Sequence, residues 1–251
     1  MSGDTQTAAV PDCYRGVWVR TLLTTPTSRD DTTFVRWLQT SRWHADLRIP
    51  PGTRTDRPML QQGFCGVTTV EVSGAAEICR WHRRLDIQPP GPHPDAGRSD
   101  FDGTERLVET GVHADYLEVW ERLPGSTGRC AVLEASPGQA PAMLLVSGEF
   151  AMRVRPRHAA WPGDTTTADT LRDLVQRHPE AAPALLDFEI SFGRLAQGRL
   201  HIAQSSLPAL EGSDEACRIV RVADDTAVMH GPAGATHWRV LEWDTEGLLL
   251  A

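Results

Sequence analysis

The chain has no lysine: all 25 of its fixed cations are arginines. That excludes Schiff-base lysine chemistry and a P-loop lysine. It also has no Cys-x-x-Cys pair. Cys13, Cys65, Cys79, Cys130 and Cys217 are odd in number and widely spaced, so neither a zinc knuckle nor a thioredoxin-type redox site is suggested. They read as small buried hydrophobes of a cytoplasmic protein. None of the nine histidines stands at His-x-His or His-x-x-x-His spacing, and no metal or other cofactor is expected. No Gly-x-Ser-x-Gly elbow or Gly-x-Gly-x-x-Gly loop occurs, so no nucleophile or dinucleotide cradle stands out. No uncharged apolar run approaches the roughly 20 residues of a membrane helix. Residues 1–11 lack the basic and apolar regions of a secretory signal. A net charge of -8 argues against nucleic acid or anionic lipid as a partner.

What is present is ordinary globular composition. The 251 residues are 40 % hydrophobic and 23 % charged, enough for one or two domains with a sizeable core. Short runs with β-branched and aromatic residues recur between Pro, Gly, Asp and Thr clusters, from Tyr14–Thr24 to His237–Asp244. They read as strands. Only Thr166–Leu186 reads as helix, near 169–180, with Asp169 as cap and Pro179 as stop. Many strands and one short helix predict an all-β barrel or sandwich. Gln88–Asp102, with four prolines and two glycines, reads as a long loop.

Pro124–Gly128 breaks the chain near its middle. A flexible tail is expected over 1–12, one β half over 13–124 and a second over 129–251. Thr33–Pro50 and Ala142–Pro156 each read strand, turn, strand, then an Arg-x-Pro or Arg-Pro ending. "DYLEVWERL" (115–123) and "HWRVLEWD" (237–244) both close their halves on an acidic, Trp-bearing strand. A duplication giving two related half-barrels would explain this pairing.

Two resemblances point to a barrel. Gly16-x-Trp18 after Tyr14, with Arg239 on the last strand, resembles the lipocalin or calycin pattern, which implies that an arginine packs over a floor tryptophan. "WLQT…DLRIP" (37–50) and "ETG…YLEVWERL" (109–123) resemble the fungal Hri-type β-barrel family, which implies a fold and no mechanism.

Chemistry is sought in polar exceptions on apolar strand faces. Read as one strand, Val108–Glu121 puts Tyr116, Glu118 and Trp120 on a mostly apolar face and Glu109 on the other. A carboxylate there has its pKa raised by desolvation and can act as an acid or base near neutrality; alternatively Glu118 pairs with an arginine. Arg36 is the polar member of Phe34, Arg36, Leu38 and could pair Glu118 or an anionic ligand group. His44, Asp46 and Arg48 alternate with Trp43, Ala45, Leu47 and Ile49. That polar set is a solvent face in most strands, but inside a wet barrel it becomes an acid–base row. Trp81 and His82 lie in a further alternating strand.

The expected function is therefore a cofactor-independent isomerase, cyclase or lyase. Its substrate would be a small, partly apolar and possibly anionic organic molecule held in the barrel. Glu118, Tyr116 and His82 would be catalytic. Arg36, Arg48, His44, Trp81 and Trp120 would bind the substrate. A carrier, a sensor or a protein-interaction scaffold is the alternative.

Overall fold

The computed structural model describes residues 8–52, 57–73, 76–231 and 234–244. Among these residues eighteen strands form two nine-stranded sheets. The first comprises β1 (Gly16–Thr24), β2 (Arg29–Asp30), β3 (Phe34–Gln39), β4 (Trp43–Ile49), β5 (Gln62–Ser73), β6 (Ala76–Asp86), β7 (Asp95–Asp102), β8 (Arg106–Gly111) and β9 (Leu117–Arg122). Each strand from β3 to β9 pairs antiparallel with the next, and β9 returns to pair with β1. The result is a closed ring of eight strands, with β2 a short addition to β1. Closure leaves no free edge in that ring and alternates side chains inside and outside along every strand.

The second sheet comprises β10 (Cys130–Ala135), β11 (Met143–Ser147), β12 (Phe150–Arg155), β13 (Glu189–Ala196), β14 (Arg199–Ser205), β15 (Asp214–Ala216), β16 (Arg218–Ala223), β17 (Thr226–Gly231) and β18 (Gly234–Asp244). Here β18 returns to pair with β10, as β9 does with β1. The end strands of the sheet, β15 and β16, are neighbours in the chain. The fold is thus all-β, two barrel-like sheets with a few short helices. The two hairpins that looked alike in sequence, β3–β4 and β11–β12, hold the same place in their sheets.

Those hairpins also meet. Leu38, Trp43, Ala45 and Leu47 from the first sheet pack with Met143, Leu145, Ile190 and Phe192 from the second in one buried cluster. Both faces of β4 are therefore buried: one lines its own barrel and the other faces the second. At about 25 cal/mol per Å² of apolar surface, such a shared core ties the halves together.

Inside the first barrel, Tyr14, Trp18, Trp37, Trp81, Leu107 and Trp120 fill one end. The Trp18 indole N–H donates to the Tyr14 carbonyl at 2.7 Å. The Arg122 guanidinium lies 4.6 Å from the Trp18 ring and donates to the carbonyls of Cys13, Arg15 and Thr104. Arg239, expected over Trp18, lies on β18 and pairs with Glu134. The arginine over the tryptophan comes instead from the last strand of the same ring.

Four further expectations are corrected. Gln88–Asp102 is not all loop, because its second part is β7, between β6 and β8. The run Arg106–Leu123 is not one strand but the hairpin β8–β9, turning through 112–116. The helical region is two short helices, α1 (Leu171–Arg177) and α2 (Ala182–Leu186), separated by a 3₁₀ turn at Pro179–Ala181; another turn of helix lies at Arg57–Leu60. Thr170, not Asp169, caps α1, in a capping box with Asp173. Of the expected tail, residues 1–7 lie outside the described residues, and Val10 is buried with its N–H on the Ser41 carbonyl. No helix among the described residues is long and apolar enough to cross a membrane.

Candidate functional site

Above the tryptophan-filled end, the first barrel holds a cavity of about 440 Å³. Trp37, Phe64, Trp81 and Trp120 form its apolar walls. Trp37 meets Trp81 edge to face at 5.5 Å and Trp120 at 5.7 Å, a favoured aromatic geometry. Much of the remaining wall is polar: Arg20, Asp46, Arg48, Glu109 and Glu118 come from β1, β4, β8 and β9, and Asp30, Asp95 and Tyr116 from β2, β7 and the β8–β9 turn.

The β8–β9 hairpin sets the central feature. Its register places Glu109 directly opposite Glu118, so both carboxyls point to the same side of the sheet. Both residues are buried and both line the cavity. Directly opposite residues have Cβ atoms about 5 Å apart. Room for Glu109 comes from Gly97 on β7: a Cβ there would lie 2.4 Å from Glu109 Oε1.

The two carboxyls have different neighbours. Glu118 Oε1 accepts from Arg20 Nη1 at 2.7 Å, and Arg48 Nη1 stands 3.9 Å from the same oxygen. Glu109 forms no ion pair among the described residues, although the Arg48 charge acts on it; its Oε1 accepts from the Tyr116 hydroxyl at 2.7 Å. Burial, then the nearby Glu118 charge, raises the Glu109 pKa well above the ordinary glutamate value, and the Tyr116 hydrogen bond only partly offsets this. Burial likewise raises Tyr116, followed by the charge of Glu109. The hairpin therefore presents a carboxyl that tends to keep its proton beside one held by a guanidinium.

The arginines are engaged by the protein. Arg20 Nη2 also reaches Asp30 at 2.9 Å. Burial works against the Asp30 charge, but hydrogen bonds from Thr33 and Thr32 outweigh it and hold its carboxyl below the ordinary range. Arg48 Nε donates to Asp46 at 2.7 Å. Desolvation opposes the Arg48 charge, and Asp46 and Glu118 more than restore it. The indole N–H of Trp120, a residue only 2 % exposed, has no partner among the described residues.

Of the residues singled out in the sequence, Glu118, Tyr116, Arg48, Trp81 and Trp120 line the cavity. Three do not. Arg36 lies on the outer side of β3, over the rings of Phe34 and Phe192 at the junction of the sheets. His82 is exposed on the outer side of β6, 2.9 Å from Thr69 Oγ1. His44 points inward but is wholly buried below the cavity, 3.0 Å from Thr68 Oγ1. Desolvation, with Arg83 and His82 nearby, pushes its pKa well down, so it is a neutral core residue. Asp46 and Arg48 face inward on the same strand, the wet-barrel arrangement.

Sequence reasoning missed Glu109, Arg20 and Asp30. For Glu109 the signal was present: Gly111, His113 and Asp115 interrupt the strand pattern and mark a turn. Among the described residues no group of three or more His, Cys, Asp or Glu side chains is placed to hold a metal ion.

No family model matches the chain, and no curated protein matches it significantly in sequence. Among solved structures it is similar to an uncharacterized protein of Saccharomyces cerevisiae, YLR301w, with a TM-score of 0.60 and 12 % identity. The likeness covers 92 % of this chain and 99 % of that one. It extends to both sheets and concerns the fold.

Proposed function

We propose that the first barrel binds a small, partly apolar organic molecule and moves a proton within it, as an isomerase, cyclase or lyase that needs no cofactor. The observation that carries this reading is the Glu109–Glu118 pair at the cavity. Two carboxyls side by side in unlike environments divide naturally into an acid and a base. Glu118 takes a proton from one atom of the substrate. Glu109 gives its proton to another atom, leaving the substrate's proton count unchanged. The pair ends with the proton on the other carboxyl, and exchange with solvent resets it. Tyr116 positions Glu109, Arg48 steadies Glu118 and Asp46, and Trp81 and Trp120 hold the apolar body. Five unpaired thiols are consistent with a cytoplasmic setting.

Small organic compounds screened against the full chain test this, with tryptophan fluorescence reporting binding. Each bound compound is then incubated in deuterium oxide and its products weighed. The expected result is conversion, or exchange of a carbon-bound hydrogen for deuterium, that is lost in Glu118→Gln while binding persists. Ligands recovered unchanged and unexchanged would overturn the catalytic role.

That outcome leads to a second reading, a carrier. The eight-stranded antiparallel ring and Arg122 over Trp18 favour it, since both resemble lipocalin-type barrels that hold a small ligand unchanged.

A further inference from the structure

We propose that the occupant of this cavity is an organic cation, a protonated or quaternary amine carried on a small aromatic or aliphatic body. The inference rests on the reading of the cavity as a small-molecule site and adds the chemical class.

Charge is the first argument. Six acidic side chains line the cavity against two guanidiniums, Arg20 and Arg48. Arg20 is taken up by Glu118 and Asp30, and Arg48 by Asp46. An anionic ligand would have to displace a carboxylate from one of them. Glu109 and the exposed Asp115 at the rim form no ion pair among the described residues. Glu109 is 3 % exposed; its Oε1 has the Tyr116 hydroxyl, but its charged form has no ion-pair partner at hand and is costly to bury. A cation supplies that partner.

The walls give a second, independent argument. Trp37, Trp81 and Trp120 stand nearly perpendicular in two edge-to-face pairs, at 79° and 74°. Tryptophan walls around an acidic space are surroundings that attract ammonium groups. A volume of about 440 Å³ suits such a molecule and exceeds what a bare ion would fill.

Three probes of one shape and different charge test the inference on the full chain: benzyltrimethylammonium, benzyl alcohol and benzoate. Tryptophan fluorescence gives the affinities. The ammonium is expected to bind at least about tenfold tighter than either of the others. Asp115→Asn, at the exposed rim, should lower the affinity for the ammonium about threefold and leave that for the alcohol unchanged. Because a bound cation favours the ionised form of Glu109, binding should release protons, read by calorimetry in buffers of different ionisation heat. Glu109→Gln should abolish that release.

Equal or tighter binding of benzoate or benzyl alcohol overturns the cation class and leaves the small-molecule reading standing. Silence from all three probes also overturns it. The small-molecule reading itself then stands or falls on the compound screen.

Discussion

Tyr116 donates its hydroxyl to Glu109 Oε1 across 2.7 Å. The bond joins the rim of the first barrel to a carboxyl whose pKa burial raises well above the ordinary value. Its direction matters, because a donated hydrogen bond favours the charged form and pulls the Glu109 pKa down against desolvation.

Tyr116→Phe should therefore move the Glu109 titration further up. The measurement is a carbon-13 NMR titration of labelled glutamate carboxyls, with Glu109→Gln assigning the signal. If the Phe variant titrates like the parent, the hydroxyl does not govern this carboxyl.

Glu109 should also shape stability against pH. In the unfolded chain it ionises near the ordinary 4.5; in the folded chain it holds its proton to higher pH. Between those values the folded state binds more protons. Stability is thus lost as pH rises from about 4.5 towards the raised value. Glu109→Gln removes that loss. The melting temperature of the variant, relative to the parent, should climb by at least about 2 °C between pH 4.5 and pH 8. A flat difference would count against a protonated Glu109.

Glu118→Gln should cost stability as well as turnover. Arg20 and Glu118 are both nearly wholly buried, with side chains 6 % and 5 % exposed. Breaking such a pair leaves a desolvated guanidinium, though Asp30 still holds its other nitrogen. A loss of about 3 kcal/mol is expected in urea unfolding. A change within experimental error would mean that the pair is not held as described.

Arg122 and Arg239 should behave oppositely. Arg122 covers Trp18 and binds three backbone carbonyls, so Arg122→Ala should cost about 2–3 kcal/mol. Arg239 is more than half exposed in its pair with Glu134, and Arg239→Ala should stay within about 0.5 kcal/mol of the parent. The same urea titration checks both, and a reversed order would refute the assignment of the floor arginine.

A chain ended after Leu123 should not behave as a soluble monomer. It would bare Leu38, Trp43 and Leu47, which the second sheet covers. Size-exclusion chromatography should show association or loss. A monomer with the parent's urea midpoint would mean that the shared core adds little.

Much of this was legible in the residues. The alternation Tyr116, Glu118, Trp120 depends on a side-chain period of two and survives in the structure unchanged. The likeness of the two hairpins was visible too. What periodicity could not supply was the meaning of a face. β3 has apolar residues on both sides, one set for its own barrel and one for the second sheet, so Arg36 looked like a site residue and sits outside. The polar side of β4 looked like a solvent face and turns inward, because closure makes the inside of the ring the wet side. β7, "DAGRSDFD", has little intrinsic strand preference; it is a strand because the ring between β6 and β8 needs one. Partners distant in sequence were least visible of all: Arg20 and Glu118 are 98 residues apart.

The pairing of β1 with β9 bears on how the chain assembles. Until Arg122 has been synthesised, β1 has an unsatisfied edge and the tryptophan floor lies open. The outer side of β3–β4 waits longer still, until Phe192 has emerged. Hairpins can form early from local contacts, but joining the ends of the ring must overcome the closure entropy of about a hundred residues. Folding should thus be gated by its last, most distant contacts and proceed slowly. A cell making this protein has to shield an open-edged, tryptophan-rich sheet for most of the time its synthesis takes.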